Sequence, residues 1–342
     1  MQRQLTFGGG VSPRNTRLRG QSIIEYVLII AVIGLVIVFA GPDVAGAIRN
    51  QFNLVGNTVN SGTNGGAQGG GSAGADSATV QAAIAKDAKD WTLDEQEAVA
   101  KDIAKNGTSS IAYAKAKAAM DAGTKFTMKL TNGETLEYRL IGINHDDLAD
   151  GSGKAGLTFL TTSATISSRM NAINANAGGW ERSELRQKMN SGEIWNLIPS
   201  DFQSKVKAVR KLTNNVGGND KNAAVTATTD KLFLLSYSEI VPTSFWASSY
   251  PVPTVPGTPT TNTSPIYPWT SNEGSQYEAF KGKVTENHSS NSAIALGDFC
   301  YWWERSVGPN HSAGFLLVDG RGDPSGDNNA TFSYFVCPAW CF

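Results

Sequence analysis

The chain has 342 residues, 17% of them charged, and a formal net charge of −1. A balance this close to neutral gives no bulk electrostatic pull on nucleic acid, so that class of partner is set aside. Its 36 glycines, 8 Trp, 9 Tyr and 14 Phe describe a loop-rich globule with room for an anchor and one or two domains. Three cysteines are an odd number, which leaves at least one thiol free or paired outside the chain.

Residues 1–20 carry Arg3, Arg14, Arg17 and Arg19 and no acid. This +4 leader leaves −5 on residues 21–342, and the positive-inside rule holds it in the cytoplasm. No residue from Val27 to Ala40 is charged, and Ile23 and Ile24 extend the apolar run upstream past Glu25. From Ile23 to Gly41 the run just reaches the ~20 residues that a helix needs to cross a bilayer. An ionised carboxylate costs roughly 2.5–3.5 kcal/mol at the bilayer centre and less toward the edge, so Glu25 is a functional suspect. A secretory signal is cut after its apolar region, whereas the small residue Gly20 precedes it, and an ordinary signal peptide fits poorly.

The stretch Gly20-Gln21-Ser22-Ile23-Ile24-Glu25-Tyr26 resembles the processing site of Flp-type pilins, the small pilins of tight-adherence pili within the type IV group. The resemblance covers residues 14 to about 55. It implies that a prepilin peptidase cuts between Gly20 and Gln21, with Glu25 and Tyr26 filling the Glu-Tyr positions. It also implies that Glu25 neutralises the new terminal amine of a neighbouring subunit. Two opposite charges buried together cost less than either alone. Partners would then be the peptidase, the cytoplasmic membrane before assembly, and other pilin subunits afterwards. A plain N-terminal membrane anchor is the alternative.

Val44, Ile48, Phe52 and Val55 continue a helical spacing beyond Pro42, which predicts a kinked pilin-type transmembrane and assembly helix over 21–55. Residues 56–75 hold eight glycines and no charge and read as a linker with a reach on the order of 25 Å. A helical collar is expected over 76–123. Thr92-Leu93-Asp94-Glu95 fits a capping box, Leu93, Val99 and Ile103 form an apolar stripe, and Asn106-Gly107 stops the helix. Ser110 is placed to cap a second helix over Ile111–Ala122.

Strand signals begin at Lys125–Leu130 and Thr135–Ile143, which flank the turn Asn132-Gly133. Leu157–Thr162 reads as a further strand, Trp180–Asn190 as a short helix with Ser183 as cap, and Ser200–Gln203 as another with a capping box. Lys231–Ser236 reads as a buried strand. Seven prolines between Pro242 and Pro268 predict a long surface excursion. Aromatic-rich strands and turns fill the rest.

Three motifs over residues 124–342 resemble one bacterial surface-domain family of unassigned activity whose fold is C-type-lectin-like. They are Trp180-x-x-Ser183-x-Leu185-Arg186-x-x-Met189-Asn190, Asp230–Ser236 with Glu239, and Trp302-Trp303-x-Arg305-Ser306-x-Gly308. Each motif alone fits core packing, with Arg186 and Arg305 satisfied by hydrogen bonds. The family usually closes on Gly-Val-Arg-Pro-Ala, where this chain has Phe335-Val336-Cys337-Pro338-Ala339. Around that departure stand Tyr301, Asn310, His311, Asn328, Asn329, Tyr334 and Trp340, and with Phe335 they form the expected ligand-binding set. The segment resembles the variable region of adhesins diversified by retroelements, which lies near the C-terminus of such a domain. A fixed terminal strand is the alternative.

No catalytic constellation, cofactor motif or metal set stands out. His145, His288 and His311 lie far apart in sequence. Asp146-Asp147 and Asp319, Asp323 and Asp327 suit calcium by charge, but the Glu-Pro-Asn and Trp-Asn-Asp signatures of calcium-dependent sugar-binding lectins are missing. Arg321-Gly322-Asp323 matches the integrin-binding tripeptide, a chance-prone match. Cys337-x-x-x-Cys341 suits a disulfide or a soft-metal site, and it resembles the late cysteine pair of formylglycine-generating enzymes, which share the broad fold, although nothing else of that active site is recognisable. Spacing does not decide whether Cys300 pairs with either.

The expected fold class is therefore α+β: a long N-terminal transmembrane helix, a glycine-rich linker, a short helical region and a C-type-lectin-like domain. The expected function is a minor, tip or displayed pilin subunit that binds an extracellular glycan or protein. The alternatives are a membrane-anchored receptor that does not polymerise and a cysteine-dependent enzyme.

Overall fold

The computed structural model describes residues 77–242, 245, 267–284 and 291–342. Among them no helix is long and apolar enough to cross a membrane. The expected transmembrane helix over 21–55 and the linker over 56–75 lie outside the described residues. The fold class is accordingly corrected to a mixed α+β domain.

Three helices come first: α1 (Ser77–Ile84), α2 (Leu93–Asn106) and α3 (Tyr113–Asp121). The expected capping box opens α2. Thr92 N donates to Glu95 Oε2 at 2.6 Å and Glu95 N to Thr92 Oγ1 at 3.3 Å. Val99 and Ile103 on this helix are fully buried. A Cβ on Gly156 would lie 1.9 Å from Ala100 O, so the close approach of α2 requires glycine there. The next helix starts later than its sequence predicts. A 3-10 turn over Gly107–Ser109 comes first, and Ser110 Oγ then accepts Ala112 N at 3.0 Å.

Strands β1 (Lys125–Lys129), β2 (Thr135–Ile143), β3 (Leu157–Thr161) and β11 (Ala339–Cys341) form an antiparallel sheet in that order. In the β1–β2 turn only Gly133 takes a positive φ, of 89°. Gly133 N donates to Leu130 O and Leu130 N to Glu134 O, a three-residue turn closed by a left-handed glycine. One face of this sheet packs Tyr138 and Phe159 against Trp340, with Phe202 closing over them.

The second sheet runs β4 (Ile166–Ser168), β10 (Tyr334–Val336), β7 (Trp302–Val307), β8 (Gly314–Val318), β9 (Gly326–Asn329), with β10 and β7 parallel. A hairpin of β5 (Val209–Asn214) and β6 (Val225–Asp230) forms a ladder of its own, joined to neither sheet by strand pairing. The expected helix over Trp180–Asn190 is split into α4 (Gly179–Arg182) and α5 (Glu184–Asn190), because Ser183 takes extended backbone and caps the second piece. After α6 (Glu193–Leu197), the helix α7 (Ser200–Gln203) has no capping box. Pro199 occupies the cap position, and Gln203 Nε2 instead donates to Trp195 O and Ile198 O.

Lys231–Ser236 is not a strand. Leu232–Leu235 are buried as expected, yet their one bridge joins Phe233 to Ala339. Arg305 accounts for the missing ladder: its Nη1 donates to Leu234 O at 2.7 Å and its backbone N to Leu235 O at 2.9 Å. Ser236 then starts the single-turn helix α8 (Tyr237–Ile240).

Candidate functional site

The three sequence motifs meet in one buried framework. Asp230 accepts Arg186 Nε at 2.5 Å, Thr228 Oγ1 at 2.6 Å and Trp180 Nε1 at 3.1 Å. Asn190 fixes the next residues, donating to Leu232 O and accepting from Lys231 N. Glu239 forks with Arg305 at 2.5 and 3.0 Å, and Lys211 joins Glu239 at 2.5 Å to Asp146 at 2.6 Å. Thr213, Leu212 O and Glu273 O take the remaining Arg305 donors. Burial raises the carboxyl of Glu239, but Arg305 and Lys211 outweigh it and hold the group below its ordinary value. Burial likewise opposes the charge of Lys211, and Asp146 and Glu239 overcome it.

On and beside the five-stranded sheet lies a second, partly exposed group. The Tyr334 ring meets Trp303 edge-on at 5.0 Å, Tyr301 at 5.7 Å and Phe332 stacked at 6.2 Å. Burial raises the Tyr334 phenol. Its hydroxyl accepts Asn328 Nδ2 at 2.6 Å, which ties β10 to β9 across the two strands between them. Asp327 and Asn329 stand two apart on β9 and hold one imidazole. His311 Nδ1 meets Asp327 Oδ2 at 2.5 Å and its Nε2 meets Asn329 Oδ1 at 3.1 Å. The His311 ring fits because Gly314 has no Cβ, which would lie 2.2 Å from Nδ1. Neutral amides, phenols and one imidazole–carboxylate pair can stack on and hydrogen-bond a ligand.

A family profile described as a domain of unknown function, DUF6273, matches residues 155–342, more than half of the chain. The chain belongs to the DUF6273 family. The matched span contains the three motifs and the aromatic face. No curated protein and no solved structure matches the chain. The described part, this DUF6273 span included, is mixed α+β.

The DUF6273 domain brings most of the expected binding residues together. Tyr301, Tyr334, Asn328, Asn329 and His311 share the contacts above. Asn310 is exposed in the β7–β8 turn at φ 56°. Phe335 pairs with Trp302, and strand alternation sends its side chain to the opposite face from Tyr334. Trp340 is corrected: it is 0% exposed in the core beside Tyr138 and cannot touch a ligand. Gly20, Gln21, Glu25, Tyr26 and His288 lie outside the described residues.

Among the described residues no group of three or more His, Cys, Asp or Glu could hold a metal. Asp146 is committed to Lys211, Asp319 accepts the backbone of Arg321 and Asp323, and Asp327 holds His311. The Arg321-Gly322-Asp323 tripeptide is tied down as well, with Arg321 on Asp319 and Asp323 on Ser325. All three cysteines are free. Burial and the neighbouring Asp146 carboxylate push the Cys341 thiol well up, which disfavours the thiolate a cysteine-dependent enzyme would use.

Sequence reading missed Phe299 and Phe332, which are 87% and 50% exposed. Phe299 also takes a φ of 64°, rare for a bulky residue. Each Phe sits among polar residues in a turn, as Asp298-Phe299-Cys300 and Thr331-Phe332-Ser333, and that pattern was the available signal.

Proposed function

We propose that the chain is an exported, pilin-like surface subunit whose DUF6273 domain binds an extracellular glycan or protein through the face around Tyr334. The observation that carries the binding reading is the arrangement of Tyr334 itself. Its ring stands among Tyr301, Phe332 and Trp303, and its hydroxyl accepts from Asn328 while keeping its own proton to donate. Rings offer contact area at low entropy cost and amides adapt their hydrogen bonds, a combination suited to recognition. The export and assembly reading rests on sequence: the +4 leader, the Gly20–Gln21 junction and Glu25 in an apolar run. In this reading the prepilin peptidase leaves Gln21 as the new N-terminus. Glu25 then pairs with the terminal amine of a neighbouring copy.

Two measurements test it. N-terminal sequencing of material sheared from cells should begin at Gln21; a start at Met1 or after Ala40 overturns the processing. Cells that display Tyr334→Ala together with Asn328→Ala should lose adhesion while surface abundance holds. Unchanged adhesion by that pair overturns the binding face.

A further inference from the structure

The four-stranded sheet has a second face, away from Trp340. Strand register sets Lys125, Arg139 and Leu160 side by side there, because Phe126, Tyr138 and Phe159 fill the core side. Above this row is a cavity of about 270 Å³, closed opposite by Ser292–Leu296 and Trp302. At ~30 Å³ per water it has room for on the order of nine water-sized groups.

Arg139 is the unusual residue of this cavity. Its Nη2 donates to Ala293 O, its Nε is buried without an acceptor, and its Nη1 makes no hydrogen bond to the described residues. Among the described residues no carboxylate pairs with it, and its guanidinium carbon lies 5.7 Å from the centre of the Phe280 ring. Arg186 and Arg305, by contrast, each meet a buried acid. Nη1 faces Gly123 on the cavity wall, where a Cβ would lie 3.7 Å away. A second cavity residue, Thr162, also has a buried hydroxyl oxygen with no partner. Lys125 is already neutralised by Glu137 at 2.8 Å. A half-buried cation that meets no carboxylate among the described residues carries a desolvation cost that a bound anion would offset. Burial lowers the pKa of Arg139, consistent with that cost.

We infer that this cavity is a binding site for a small hydroxylated carboxylate, such as a uronic acid. The carboxylate would take the open end of the guanidinium, Nη1 and the second N–H of Nη2, in the planar fork that arginine offers. The hydroxyls of Thr162 and Ser292 would face the ligand's own hydroxyl groups. Trp302 lines this cavity while Trp303 faces Tyr334, so the two sites lie on opposite sides of β7, and this one stands apart from the surface-binding reading.

The test is isothermal titration calorimetry on the full chain with D-galacturonate, D-galactose and inorganic phosphate as probes. Galacturonate should bind at least tenfold tighter than galactose or phosphate. Arg139→Gln should weaken galacturonate at least tenfold with a cooperative melt retained. Ala295→Leu, which narrows the cavity and leaves the Arg139 side chain unchanged, should weaken it as well and decides the matter if Arg139→Gln does not fold. Tyr334→Phe should leave galacturonate affinity unchanged. Absence of galacturonate binding at millimolar concentration, equal binding of galactose, or indifference to Ala295→Leu overturns the site.

Discussion

Two groups of polar side chains meet at β7, and they are built on opposite terms. Beneath it, Arg305, Glu239, Lys211 and Asp146 are full charges, all buried, each hydrogen-bonded to an opposite charge. On its Trp303 side, Tyr301, Tyr334, Asn328 and Asn329 are neutral and half-buried, and the Tyr334 hydroxyl keeps a proton to donate. The charged group spends its hydrogen bonds within the core, on itself and on the carbonyls and hydroxyls around it. The neutral group is held in place by a few contacts and keeps the rest. Charge marks the scaffold of this domain, and uncharged aromatic and amide groups mark its candidate contact face.

Breaking the charged group should have the largest effect. Arg305→Met removes the fork on Glu239 and leaves Leu234 O, Leu212 O and Glu273 O without their donor. One partner lost from a buried ion pair costs roughly 3–5 kcal/mol. Urea denaturation of the full chain should show a loss of that order, and a loss under about 1 kcal/mol would mean that the network is not what holds the three motifs together.

Much of this framework was legible in the sequence, because local chemistry wrote it. The Thr92–Glu95 box, the Gly133 turn and the strands β1 to β3 follow from spacing and turn residues. The motif residues Trp180, Arg186 and Arg305 read as packing and hydrogen-bonding groups, and they are. What sequence could not show is long-range. Lys231–Ser236 has a strand's composition, but its carbonyls are taken by an arginine about 70 residues away. Trp340 shares its neighbourhood in sequence with the face residues, yet β11 pairs with β3 and carries it into the other sheet. Arg139 looked like any strand residue, because nothing local reveals that the nearby Glu137 is taken by Lys125 and that no carboxylate among the described residues pairs with Arg139.

The buried acids make stability depend on pH in opposite directions. Glu273 is buried between the Ser306 hydroxyl and Asn214 N–H, and burial raises its carboxyl to about 7 from an ordinary 4.5. A raised pKa means that the folded state holds the proton more tightly. Its contribution is fully present below pH 4.5, declines as pH rises, and is gone above about 7, a span worth roughly 3 kcal/mol. Asp146 and Glu239 act in the opposite sense: their folded carboxyls are lowered, so their contribution is lost as pH falls through the acid range. Glu273→Gln is neutral at every pH and should flatten the dependence between pH 5 and 7. Equal urea midpoint shifts in the variant and the wild type across that window would show that Glu273 does not titrate there.

The smallest expected effect on stability belongs to the face. Tyr334→Phe keeps the ring against Trp303 and removes only the hydroxyl that accepts Asn328 Nδ2. Asn328 is half-buried and can turn that donor to water, so the stability cost should stay near or below ~1 kcal/mol. Binding is another matter, because the lost hydroxyl also carried the free proton offered outward. A hydrogen bond of about 1 kcal/mol corresponds to roughly a fivefold change in affinity. Adhesion by the full chain on cells should therefore weaken while its melting hardly moves. The reverse order, with an early melt and intact adhesion, would turn Tyr334 from a contact residue into one more piece of scaffold.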